Sequence, residues 1–170
     1  MDQGKDPLAV LRTAHPGTGA DSGADWLAEV GGVVDAIPYR WLYWPEIRVS
    51  HGAVFIDLSG SGDAEYERRL TAALAAGRPG RTPEAWGSLV DSFNYFEISN
   101  LFRQWRGPVD GSETAHRALA DLLVEPWQAR LHLAHPDRRF HVGIAPPDPD
   151  LGVCLEAVQT YPPPDPPPGW

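Results

Sequence analysis

The chain carries eighteen prolines, and they set the limits of its regular elements. Proline lacks a backbone N–H and clashes with the preceding turn, so helices end before it or begin on it, and central strands avoid it. Pro38 ends a helix that Asp25 can cap and that carries Trp26, Leu27, Val30, Val33 and Val34, with Gly31-Gly32 weakening its middle. Thr82 as cap and Pro83 at the first helical position open a second helix. It would carry Trp86, Leu89, Val90, Phe93, Phe96, Leu101 and Trp105 as far as Gly107-Pro108. Asp63 can cap a shorter helix to about Ala76, with Tyr66, Leu70, Ala73 and Leu74 on one face. Ser112 starts the longest helix, whose Leu119, Leu123, Trp127 and Leu131 recur at i, i+4. Pro126 falls inside that pattern, which predicts a kink or a break.

Two segments alternate instead. Ile47 and Val49 interleave with polar residues, Ser50-His51-Gly52 supplies a turn, and Val54-Phe55-Ile56 is β-prone. Phe140, Val142 and Ile144 alternate, as do Val153, Leu155 and Ala157, across the loose linker Pro146-Pro147-Asp148-Pro149-Asp150. The order helix, hairpin, helices, hairpin predicts an α+β fold, a mainly antiparallel sheet of two hairpins packed against three or four helices. Residues 1–24 read as a mobile N-terminal arm with one helical turn, 25–160 as a single α+β domain and 161–170 as a polyproline tail. Trp170 is unusual on such a tail and could dock back on the domain.

A lone cysteine, Cys154, excludes an internal disulfide and fits a reducing compartment. With no signal-peptide pattern and no apolar run of membrane-spanning length, the expected location is the cytoplasm. Fourteen basic against 23 acidic residues give a net charge of -9. Such a surface repels phosphate backbones and anionic lipid, so neither nucleic acid nor membrane is an expected partner. It suits a basic protein, or it simply keeps the chain in solution. Lys5 is the sole lysine, and arginine, alanine, glycine and proline are heavy, as in proteins of high-GC bacteria.

The enzyme motifs fail at identifiable residues. Ser59-Gly60-Ser61-Gly62-Asp63 sits where a phosphate loop would, but Glu65 replaces the third glycine of a dinucleotide fingerprint, no lysine is near and Asp63 repels phosphate. Neither Ser59 nor Ser61 has the G-x-S-x-G surround. No cofactor is therefore expected. His132 and His135 share a helix face with His141 nearby, a possible zinc set, but the H-E-x-x-H pattern is absent and His141 alternates outward, so no metal is assigned. Cys154 lies mid-strand as a buried structural thiol.

Two clusters remain. Tyr39, Trp41, Tyr43 and Trp44 form an aromatic run; in a strand the odd-numbered ones would share a face. Trp41 and Trp44 are expected in the core, while Tyr39 and Tyr43 stay open between core and interface. Asn94, Glu97, Asn100 and Gln104 would line one face of the Thr82 helix, and they include both asparagines of the chain. Asparagine disfavours helix interiors, so its use twice there suggests specific hydrogen bonds; the stripe is either an ordinary wet face or a small polar pocket or partner-contact strip with Glu97 as its charge.

Trp44-Pro45-Glu46, Gly52 before an apolar strand, Asn94 on an aromatic helix, Trp127 with Arg130-Leu131, Pro136 and Arg139-Phe140 together resemble a group of small high-GC bacterial proteins that are similar to immunity proteins of polymorphic toxin systems. The likeness runs over about residues 40–160; Pro126 and the polyproline tail depart from it. It implies no catalytic residues. The resulting expectation is a non-catalytic inhibitor of a basic protein partner, contacting it through Tyr39, Tyr43, Glu46, Asn94 and Glu97. The alternatives are a small enzyme using Glu97 or His132, His135 and His141, and an accessory protein of a biosynthetic or phage operon.

Overall fold

A computed structural model describes residues 6–59, 67, 68, 70–72, 75, 76, 82–102, 107–168 and 170. The fold is α+β. Two antiparallel sheets replace the single sheet of two hairpins expected from the sequence. The first is the hairpin β1 (Glu46–Ser50) and β2 (Ala53–Asp57). The second has the order β3-β5-β4, from β3 (Tyr95–Glu97), β4 (Arg139–Ile144) and β5 (Cys154–Tyr161).

β2 is the structural centre. All five of its residues are buried. Val54 and Ile56 enter a cluster with Leu42, Ile98, Leu123, Trp127, Leu131 and Leu155. Ala53 and Phe55 enter another with Leu70, Trp86, Leu89 and Val90. Successive strand side chains point to opposite faces, so a strand buried on both sides is largely apolar, as Ala53-Val54-Phe55-Ile56 is, and its one buried charge, Asp57, is paired with Arg48. The two-residue loop His51-Gly52 closes the hairpin with φ of 49° and 78°. Both lie in the left-handed region that matches the twist of the flanking strands, and only glycine enters it without cost.

The helices bracket this hairpin. α5 (Pro83–Phe93) forms the cluster on the Phe55 side; Thr82 caps it by accepting from Ala85 N–H at 3.2 Å. α6 (Glu113–Ala134) lies on the other, its Leu123, Trp127 and Leu131 buried as the i, i+4 spacing requires. Ser112 caps it, accepting from Ala115 N–H. Pro126 does not end it: the helix runs through all 22 residues. The buried neighbours Leu123 and Trp127 hold the turns on either side of the proline, so packing overrides its local cost.

Three further expectations are corrected. The N-terminal segment is more than one turn: α1 (Pro7–Ala14) makes two, capped by Asp6, and packs against α6. Ser22, not Asp25, caps the next helix, α2 (Gly23–Glu29), with Asp25 as the reciprocal partner in a capping box. Gly31-Gly32 then separates it from a single turn, α3 (Val33–Ala36). A Cβ on Gly31 would lie 2.6 Å from the Leu27 carbonyl oxygen, so this sharp exit requires glycine. Finally, the Thr82 helix stops at Phe93; Asn94 is its C-cap, and the chain becomes β3 and a 3-10 turn, Ile98–Leu101. The Asp63 helix lies largely outside the described residues, although Leu70 is buried.

The tail folds back. Trp170 packs at 5.3 Å on Trp86, edge to face, and its indole N–H donates to the Thr82 carbonyl at 3.0 Å.

Candidate functional site

The aromatic run is a helix, not a strand: α4 (Tyr39–Tyr43). A helix of five residues can bury only one side. Leu42 takes the inward place, and its carbonyl accepts from the Trp127 indole N–H at 2.7 Å, fixing α4 on α6. Tyr39 and Tyr43, at i, i+4, are left outward and meet edge to face at 6.4 Å. Their exposures are 44% and 37%. Partial burial first, and Tyr39 second, push the Tyr43 hydroxyl above its ordinary pKa, so it remains a neutral donor. Trp44, expected in the core, is also exposed, with the Arg130 guanidinium 5.7 Å above its ring. Arg130 donates as well to the Pro45 carbonyl. Helical geometry explains the correction: Leu42 and Pro45 use the buried side, and Trp44 falls off it.

Upstream lies a ridge that the hydrophobic pattern assigned to the interior of a helix. Leu27, Val33, Val34 and Ile37 expose 74, 85, 77 and 60% of their surface, and Val30 joins them. Trp26 alone is buried from α2, beside the His15 ring. The break at Gly31-Gly32 is the signal that sequence reasoning had and underused: it splits one amphipathic helix into two pieces too short to bury a common face. Burying a side chain of this size is worth about 1.5–3 kcal/mol, and this run of exposed ones forgoes that stabilisation.

Glu46 is committed within the fold. Its carboxylate receives the Arg48 guanidinium at 2.8 Å, while Arg48 also donates to Asp57 at 2.5 Å. Glu46 keeps an exposed edge beside α4; Asp57 is enclosed. Burial alone would raise the Asp57 carboxyl, but hydrogen bonds from Ser59 and Arg48 outweigh it and hold it below the ordinary range.

Asn94 and Glu97 do not share a helix face, because the helix ends between them; Gln104 lies outside the described residues. Asn94 is buried. Its amide oxygen accepts from Ile56 N–H at 3.0 Å and its amide nitrogen donates to the Val54 carbonyl at 2.9 Å. These are two of the groups of β2 that face away from β1, so the side chain stands where a third strand would. Its own carbonyl accepts from Ala157 N–H, joining the first sheet to the second. Asn94 is thus an internal clamp, unavailable to a partner. Glu97 accepts from Ser99 Oγ and from Asn100 Nδ2, which fixes the 3-10 turn. It is half-buried and already engaged.

The other candidate centres do not assemble. His132 lines an open groove of about 530 Å³ between α6 and β4; His135 lies on the Phe140 ring; His141 is exposed on β4. Among the described residues, no three His, Cys, Asp or Glu side chains are placed to hold a metal ion. Burial pushes the Cys154 thiol above its ordinary pKa, the opposite of what a nucleophile needs. Among the described residues, no helix is long and apolar enough to cross a membrane.

Comparison with protein-family models, with curated proteins and with solved structures finds no match. The geometry of the site therefore has to speak for the function by itself.

Proposed function

We propose that this protein works by binding a basic protein, as an inhibitor of the immunity type, with the face made by Tyr39, Tyr43, Trp44 and the outer edge of Glu46 in contact. The observation that carries this reading is α4: a five-residue helix locked to the core by Leu42 and Trp127 that presents two paired tyrosines and a tryptophan to solvent. Rigid Tyr and Trp side chains with an adjacent arginine are the composition of interface hot spots, because they bury much area for little lost freedom. A net charge of -9 supplies the long-range attraction. Asn94 is withdrawn from the contact set because its amide is used inside, and Glu97 is left at most a peripheral role.

The test is affinity capture from the native host at low ionic strength, followed by reconstitution with the purified captured protein. The reading expects a basic partner whose affinity falls steeply with salt, as exposed charge pairs are screened beyond about 10 Å at 0.1 M. Tyr39→Ala/Tyr43→Ala should then weaken it by tenfold or more, about 1.4 kcal/mol. A partner bound equally by that double variant, or no partner at all, would overturn the reading.

A further inference from the structure

The exposed apolar residues of α2 and α3 lie upstream of the α4 face, and their chemistry can be read by itself. Leu27, Val30, Val33, Val34 and Ile37 project from two short helices whose one deep anchor is Trp26. The charges along the same stretch are of one sign. Asp21, Asp25, Glu29 and Asp35 interleave with the apolar residues, and all four are exposed. Arg40 is the first cation after them, and it lies over the Trp41 ring at 5.8 Å. Asp25 stays ionised at neutral pH, held low by the Ser22 hydroxyl and backbone.

Three kinds of occupant could cover an apolar ridge, and its charges separate them. A second copy of the chain would bring the same four carboxylates against one another, and juxtaposed like charges disfavour association. An anionic lipid surface meets the same repulsion. A protein segment with an apolar stripe flanked by Lys and Arg meets none: the stripe covers the valines and leucine, and the flanking cations pair with the carboxylates. We infer that the ridge is the docking site for an amphipathic, cationic helical segment of a partner protein, laid along Leu27, Val33, Val34 and Ile37. This rests on the reading that the protein binds a basic partner, and it adds a second contact surface of stated chemistry upstream of the tyrosines.

The test uses the full chain and two synthetic amphipathic helices with one leucine pattern, one carrying lysine and the other glutamate on its polar face. The lysine helix should bind and the glutamate helix should not. Leu27→Ser/Val33→Ser/Val34→Ser removes apolar contact while leaving every charge, and should weaken the lysine helix at least tenfold. Asp21→Asn/Glu29→Gln should weaken it severalfold and flatten its salt dependence. Because these side chains are exposed, all variants should keep the parent circular dichroism and melting temperature. Equal affinity of the triple variant would show that only bulk charge attracts the peptide and would overturn the inference. So would binding to neutral or anionic vesicles in preference to the lysine helix, or a dimer in sedimentation that the triple variant abolishes. A partner captured from the host that binds the triple variant as well as the parent, yet loses Tyr39→Ala/Tyr43→Ala, would sink the ridge and leave the tyrosine face standing.

Discussion

Asn94 carries unusual weight for a single amide. It satisfies an N–H and a carbonyl of β2 with its side chain and an N–H of β5 with its backbone, all in a buried setting. Replacing it by alanine leaves two buried backbone groups without partners, each costing about 1–3 kcal/mol. Asn94→Ala should therefore lower the free energy of unfolding by about 2–6 kcal/mol in urea titration. A loss below about 0.5 kcal/mol, the range of an ordinary surface change, would contradict the clamp. Asp57 gives a residue-scale pH dependence. Its folded pKa is depressed, so the stability it contributes is present above the ordinary carboxyl range near 4 and is lost as pH falls through the lower folded value. Asp91 has the opposite sign: burial, then the Glu156 charge, raise it, so its contribution is present at low pH and is lost as pH rises through its folded value. Stability measured from pH 6 to pH 2 should thus lose part of its acid slope in Asp57→Asn and steepen in Asp91→Asn. Identical slopes in the two variants would refute the assignment. The sequence places Asn94 on a helix face where asparagine is unusual; the specific hydrogen bonds exist, but they are made from the helix C-cap. The sequence could not show that the partners are on a strand some forty residues away, because long-range hydrogen bonds leave no local pattern.

At the scale of elements, the edges of the sheets explain what local patterns concealed. β4 is the outer strand of the second sheet, and Gln128 on α6 covers it: the side-chain amide donates to the Phe140 carbonyl and accepts from Val142 N–H. This repeats the arrangement of Asn94 on β2, with a primary amide standing in for a neighbouring peptide. In Gln128→Ala the Val142 amide should exchange with solvent many times faster, while the β5 amides that pair within the sheet keep their protection in hydrogen-exchange NMR. Unchanged protection at Val142 would show the edge to be covered by something else. Pro126 supplies the converse case. The helix persists despite it, so alanine there restores a missing N–H donor without changing the fold. Alanine gains about 3 kcal/mol of helix propensity and loses proline's restraint on the unfolded chain, about 0.4–1 kcal/mol, so Pro126→Ala should stabilise by about 2–2.5 kcal/mol. A destabilised variant would mean that the ring itself is packed. The long helices and both hairpins were legible because period and caps agreed at Thr82, Ser112 and His51-Gly52. The end of α5 was not, because Phe93, Phe96 and Leu101 keep helical spacing across a strand and a 3-10 turn. Apolar positions recur in any element that faces a core, and only the pairing of Phe96 with Leu155 settles which element it is.

For the whole molecule, the division between core and surface carries the functional argument. Two apolar clusters share β2, the tail closes one of them through Trp170 on Trp86, and Trp127 ties α4 to the other. What remains outside is concentrated between Leu27 and Trp44, in a stretch whose only cation is Arg40. Composition announced an acidic chain, but the hydrophobic pattern could not tell a buried face from a presented one. That distinction depends on whether other elements cover the segment, and Trp26 is the one residue of α2 and α3 that is buried. The most direct measurement is therefore hydrogen–deuterium exchange on the complex with the basic partner recovered from the host. The account predicts new protection over residues 27–44 and little change along the open groove between α6 and β4. Protection confined to that groove, with 27–44 exchanging as in the free protein, would contradict it.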